Sequence, residues 1–191
     1  MPALLKDLKE QLCPNLMETL GQKLNVPPIA VRNGINLTLP ILVGGMAGIA
    51  LDDSEVMPLY QALTADHNGS IFDNLNRYFS SYDFQVESGI LPYVLGDRQS
   101  TVVHMINEKS GLDPELIIRI MDLSAVLLMG YVGRELRHND FDTEGLTTFL
   151  QRAVLQISKN TPELYKKLNT LFKLERPVKK KRFSFLRRKK K

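Results

Sequence analysis

Residues 112–136, LDPELIIRIMDLSAVLLMGYVGREL, form the longest apolar helical pattern in the chain. Asp113 has the right chemistry for an N-cap, and Pro114 suits a first helical position, where no N–H is needed. Glu115, Arg119 and Asp122 follow at spacings of four and three and so line one narrow polar stripe. Beyond Asp122 the stripe continues as Val126, Met129 and Gly133, leaving the second half of the helix apolar on every side. Such a helix belongs at the centre of a fold, and its stripe serves packing or capping.

The centre of the fold has a second, weaker version earlier in the chain. Asn33–Gly34 between two apolar runs is by itself a β-hairpin signal. Sliding the chain by 86 residues, however, lays 16–47 over 102–133. Lys23, Pro28, Leu37, Leu42 and Gly44 then fall on Lys109, Pro114, Leu123, Leu128 and Gly130. The segment INLTLPILVGG (35–45) matches MDLSAVLLMGY (121–131) in character, and Asn33 and Asn36 fall on Arg119 and Asp122. The hairpin turn would then correspond to Arg119–Ile120, deep inside a strong helix, so both copies read as helical, with Pro40 kinking or ending the first. One unit is a short helix, a proline-started turn and a long apolar helix. Two copies are too few for an open solenoid and fit a compact pseudo-symmetric bundle.

The remaining segments are also helical. Leu4, Leu5, Leu8 and Leu12 predict a helix over 3–12, and 14–23 restarts after Cys13–Pro14. Asp52, Asp53 and Ser54 read as the cap of a helix to about Ala65. Asp66–Gly69 is a turn, Ser70 opens a helix to about Phe79, and 81–88 is a loop. Residues 89–96 are a short helical turn closed by glycine, and 98–109 begin the second copy. His138–Asp142 is a polar connection, 146–158 a helix, and Thr161–Pro162–Glu163 the cap of a last helix that Pro177 ends. No period-two alternation survives elsewhere, so the predicted fold is all-α: one multihelical domain over 1–175, with 137–175 as a helical extension, and a disordered basic tail at 176–191.

The overall charge of +4 conceals a division. Residues 176–191 hold ten Lys or Arg and no acid, leaving 15 bases against 21 acids, a net of −6, in residues 1–175. The single cysteine, Cys13, excludes an internal disulfide and fits a reducing compartment. The N-terminal residues mix acids and bases from Lys6 onward, unlike a secretory leader. Residues 34–51 carry no charge, at the lower edge of a membrane span, but Pro40, Asn36, Thr38 and four glycines favour a buried core segment. In 116–133, Arg119 and Asp122 would each cost roughly 2.5–3.5 kcal/mol at mid-bilayer.

Four spaced pieces carry a family resemblance: GSIFDNL (69–75), GILPYVLG (89–96), SGLDPEL (110–116) and LSAVLLMGYVGREL (123–136). In that order they resemble the YidB-like bacterial domain family of unknown function, DUF937, over roughly residues 4–136. The resemblance implies a multihelical bacterial domain and supplies no activity. Tyr93 stands where the family often has His, and Ala125–Val126 where it often has Ala–Pro. The first departure removes an ionisable group from the motif.

No catalytic or cofactor motif stands out, and neither an enzyme activity, a cofactor, a metal nor a small-molecule substrate is inferred. His67, His104 and His138 are scattered without ligand spacing. Asp66–Gly69 lacks the alternating acids and closing Glu of a calcium loop and reads as an Asx-type turn feeding a helix. Gly44, Gly45 and Gly48 read as sites of close helix approach, not as a phosphate loop. Asp52 and Asp53 read as capping groups, and Cys13 at a helix boundary as a packing residue.

The tail is different, because no folded core accounts for it. Lys179, Lys180, Lys181 and Arg182 precede Phe183, Phe185 and Leu186, and Arg187, Arg188, Lys189, Lys190 and Lys191 follow. This basic–aromatic order resembles the membrane effector segment of the myristoylated alanine-rich C-kinase substrate. Each base near an anionic lipid surface contributes about 1 kcal/mol, and the aromatics insert at the interface. The sequence therefore predicts a cytoplasmic, non-enzymatic interaction or scaffold module, peripheral on the inner membrane face. The alternative is phosphate binding to nucleic acid through the same residues, with a basic dock for an acidic protein as a third reading.

Overall fold

The structure, a computed structural model, describes residues 4–83 and 89–175. The helices are α1 (Leu4–Glu10), α2 (Pro14–Leu24), α3 (Pro28–Ala50), α4 (Val56–Ala65), α5 (Leu75–Ser81), α6 (Ile90–Leu95), α7 (Gln99–Ser110), α8 (Pro114–Asn139), α9 (Thr143–Asn160) and α10 (Pro162–Phe172). Short 3-10 turns lie at Ser70–Asp73 and Gly96–Arg98, and there is no strand among the described residues.

α8 begins where its chemistry demands. Asp113 Oδ1 accepts hydrogen bonds from the backbone N–H of Glu115 (2.8 Å) and Leu116 (3.4 Å), and Pro114 occupies the first turn. From Ile120 to Gly133 every residue is buried, as expected of a helix apolar all round. Asp140, in the left-handed region at φ 51, ends it.

The principal partner of α8 is α3. The two approach closely because the facing residues are small: a Cβ on Gly34 would lie 2.8 Å from Ile120 Cδ1. One turn further, Thr38 Oγ1 and Ser124 Oγ lie 2.7 Å apart in the dry interior. Ser124 Oγ also reaches the Ile120 carbonyl (2.6 Å), and Thr38 Oγ1 the Ile35 carbonyl (3.2 Å). Whichever hydroxyl donates across the interface, the other donates to its own helix, so both buried groups stay paired.

The other helices wrap this pair. At Gly133 α8 runs against the backbone carbonyls of Leu63 and His67 at the end of α4, leaving no room for a Cβ. At Gly130 it meets Ile71 of the first 3-10 turn. On α3, Gly45 faces Val94 of α6, while Gly44 and Gly48 face Leu168 and Phe172 of α10. The glycines of 44–48 thus make the close helix approaches expected of them. Thr147 of α9 donates to the Ala50 carbonyl (3.0 Å) and fixes the end of α3. A single core runs from Leu4 to Leu174.

Several local expectations need correction. Pro40 does not end α3, which runs on to Ala50. Proline removes the bond to the Asn36 carbonyl, but Asn36 is exposed and Pro40 half-buried, so the gap falls on the solvated side. Asp52 is not the cap of α4: its Oδ1 accepts from Ser54 N (2.9 Å) and Ser54 Oγ (2.6 Å) in a local turn, and Glu55 takes the cap position without a side-chain bond. The helix placed over 70–79 is two elements, because Asn74 (φ −158) breaks the run and caps α5 through Arg77 N. α8 continues into the connection expected at 138–142. Lys173, at φ 53, already closes α10 four residues before Pro177. Cys13 is exposed and does not pack in the core. Of the expected loop 81–88, residues 84–88 lie outside the described residues, as does all of 176–191.

α3 and α8 are both long and apolar enough to cross a membrane, yet 67% and 83% of their apolar windows are buried inside the fold. The charge-free run at 34–51 is core, as expected.

Two outcomes follow from the close contacts of α8. Gly133→Ala forces a methyl into the Leu63 and His67 carbonyls and is expected to destabilise by about 3 kcal/mol or more in urea unfolding. Thr38→Val and Ser124→Ala should each cost about 1 kcal/mol. The double variant should cost clearly less than their sum, because each single change leaves a polar partner in the interior. Strict additivity would show that the hydroxyl pair is not coupled.

Candidate functional site

Four segments far apart in sequence enclose an open groove of about 1000 Å3. α1 contributes Leu5, Lys6, Lys9 and Glu10, and α3 contributes Asn36, Leu37, Pro40 and Ile41. Met105, Ile106 and Lys109 come from α7. The remaining wall is the end of α9 and the start of α10, where Gln156, Ile157 and Asn160 lead into Thr161–Leu164. Ile41, Ile106 and Ile157 are buried, and Leu5, Leu37, Met105 and Leu164 are partly open. The volume and the apolar lining with a few polar groups are those of a binding site.

The charges on the rim are unevenly matched. Glu10 lies 3.9 Å from Lys6, and Glu163 2.8 Å from Lys166. Among the described residues neither Lys9 nor Lys109 has an acid within ion-pair distance. Burial lowers the Lys9 ammonium below its ordinary pKa, since losing water disfavours the charged form. At the start of α10 the Thr161 hydroxyl donates to the Ile157 carbonyl (3.1 Å) and does not cap the helix, leaving first-turn N–H groups without a side-chain acceptor.

A second polar cluster surrounds Tyr131 on α8, which is 2% exposed. Its ring meets Phe72 edge-on at 6.1 Å, and the Arg134 guanidinium lies 5.0 Å from its centroid and 4.5 Å from that of Phe72. Burial, followed by the carboxylates of Glu135 and Asp7, pushes the Tyr131 phenol well above its ordinary range. Buried Glu135 accepts from Asn139 Nδ2 (3.3 Å). Further along α8, buried Asp122 accepts from Tyr82 Oη (2.5 Å), and Glu115 and Arg119 lie 4.0 Å apart. Of the polar stripe of α8, Asp122 is thus tied into the fold, while Glu115 and Arg119 form a pair at the surface.

The residues considered from sequence do not converge. His104 Nε2 lies 3.3 Å from Glu108 on an exposed face, and His138 is exposed. His67 ends the turn against Gly133, its pKa lowered by burial and partly restored by Asp66. No group of three or more His, Cys, Asp or Glu able to hold a metal occurs among the described residues. Asn68 Oδ1 accepts from Ser70 N (3.1 Å), the Asx turn expected there. The basic and aromatic positions of the tail, Lys179 to Lys191, lie outside the described residues. Nothing in the sequence marks the groove: Leu5 reads there as one apolar position of the helix over 3–12, and Lys9 and Lys109 stand at unremarkable places on helices.

Fold and site together define a multihelical domain with an apolar groove at its surface. Residues 6–135 match the family described as "Bacterial protein of unknown function (DUF937)", and the chain belongs to that family. No curated protein and no solved structure matches it. The matched region ends within α8, so α9 and α10, which form one wall of the groove, lie beyond it.

The raised Tyr131 pKa predicts a loss of stability at alkaline pH. Its pKa is raised on folding, so the associated stability is intact below the ordinary value of 10.0 and is lost as pH rises above it. Urea unfolding from about pH 9 to about pH 11 should show stability falling by up to about 1.4 kcal/mol per pH unit for this group. Tyr131→Phe should flatten that fall. An unchanged slope would mean that other groups cause the loss.

Proposed function

We propose that this protein is a non-enzymatic interaction module held at an anionic membrane surface by residues 176–191. One observation carries the tether: the separation of charge into −6 over residues 1–175 and +10 over residues 176–191. An acidic body is repelled by an anionic surface, so the tail must supply the attraction, at about 1 kcal/mol per base before saturation. Phe183, Phe185 and Leu186, between the basic blocks, add interfacial insertion. The expected setting is the cytoplasm, at the inner membrane face. The groove supports the interaction role, being apolar, with its two acids already close to lysines.

The two long central helices fit a duplicated unit. Pro28 and Pro114 start α3 and α8 at equivalent positions, and the offset of 86 that relates them also relates Thr38 to Ser124, which touch.

The tether is tested by sedimenting the full chain with vesicles of phosphatidylcholine alone and with phosphatidylserine added. A variant with Lys179, Lys180, Lys181 and Arg182 changed to Gln should lose about tenfold or more in affinity for the anionic vesicles. Phe183→Ala with Phe185→Ala should weaken binding further at raised salt, where electrostatics is screened. A full chain that stays in solution with anionic vesicles at low salt sinks the tether. Tighter binding to duplex DNA than to those vesicles at equal salt would move the tail to the nucleic-acid reading.

A further inference from the structure

We propose that the groove between α1, α3, α7 and the α9–α10 corner binds a long-chain fatty acid, its acyl chain on the apolar floor and its carboxylate taken by Lys9 and Lys109. This rests on the groove being the domain's binding surface, and it is independent of the tail.

Charge complementarity selects the occupant. The groove presents an apolar floor around Leu37, Ile41, Ile106 and Ile157 together with two lysines that have no acid partner among the described residues, while both of its acids are close to other lysines. The missing counterpart is an amphiphile with one long apolar part and an anionic end. A carboxylate would give Lys9, which loses water on the groove wall, a charge-assisted hydrogen bond. The uncapped first turn of α10 also favours negative charge on that wall.

Other occupants fit less well. The chain's own residues 176–191 carry +10 and would be repelled by Lys9 and Lys109. A second copy meeting the first groove to groove sets the same lysines against each other, since a two-fold contact pairs a surface with itself. The volume of about 1000 Å3 is at the upper end for small-molecule sites and leaves room for an extended chain.

The chain has no tryptophan, so a dansyl-labelled fatty acid (dansylaminoundecanoate) can be followed without interfering protein emission. The full chain should bind this probe saturably at one site and release it to palmitate, but not to uncharged hexadecanol. Lys9→Met with Lys109→Met should weaken probe binding by about tenfold or more. Leu37→Glu should abolish it, with circular dichroism confirming that each variant remains folded. The Lys→Gln tail variant should bind the probe as the native chain does.

If hexadecanol displaces the probe as well as palmitate does, the carboxylate assignment is overturned while the groove stands as an apolar site. If the folded protein does not take up the probe, the fatty-acid proposal falls. A dimer in size-exclusion chromatography that refuses the probe, and a Leu37→Glu monomer, would give the groove to a second copy instead.

Discussion

The structure depends on how closely α3 and α8 can approach. Ile120 occupies the space left by the missing side chain of Gly34, and Thr38 and Ser124 touch one turn along. A larger residue at either glycine or hydroxyl position would push the helices apart, and the shells on both sides would lose their fit. Gly133 and Gly130 admit α4 and the 3-10 turn on one side, while Gly44 and Gly48 admit α10 on the other. The interior is therefore set by small residues as much as by large apolar ones, and close packing leaves little slack for volume changes there. The hydroxyl pair adds register: a buried polar contact is costly when unmade, so sliding one helix along the other loses it.

Where packing and capping obey local rules, the sequence was readable. Asp113–Pro114 fixed the start of α8, Asn68 its Asx turn, and the apolar face of 146–158 the placement of α9. Errors arose where two local chemistries competed. Asp52 can cap a helix or bond its own neighbour Ser54, and the second prevailed. Proline usually interrupts a helix, yet α3 tolerates Pro40 because the carbonyl it strands lies on the groove side, within reach of water. The groove was illegible for a different reason. Its walls come from residues 5–10, 36–41, 105–109 and 156–164, and no periodicity within one segment reveals that the four will stand apart and not close together.

The groove straddles the edge of the family match. α1, α3 and α7 lie almost wholly within residues 6–135, whereas α9 and α10 lie beyond them. The extension is nonetheless part of the same core, through Phe149, Leu150, Leu168 and Phe172. It closes over the face of α3 that carries Gly44 and Gly48, so those glycines have a packing role only in the presence of α10. Remove α9 and α10, and the apolar surface around Leu37 and Ile41 ceases to be a groove and becomes an open face. The shape of the groove is thus a property of the extension as much as of the family domain.

The position of the extension also joins the two halves of the functional proposal. The start of α10 lines the groove, and its end leads within a few residues to Glu175, after which the basic run begins. Eleven helical residues span about 16 Å, so a tail anchored on a membrane holds the groove within a short distance of that surface. On the same proposal, the acidic body would be pushed outward by the lipid charge that attracts the tail. On the proposed tether, the balance of those two forces would place α10 on the membrane-proximal side, and a groove with apolar walls and two lysines without acid partners among the described residues would face the region where free anionic amphiphiles are most concentrated. A fatty acid leaving the bilayer would meet the groove without a long passage through water, which is where its acyl chain is least stable.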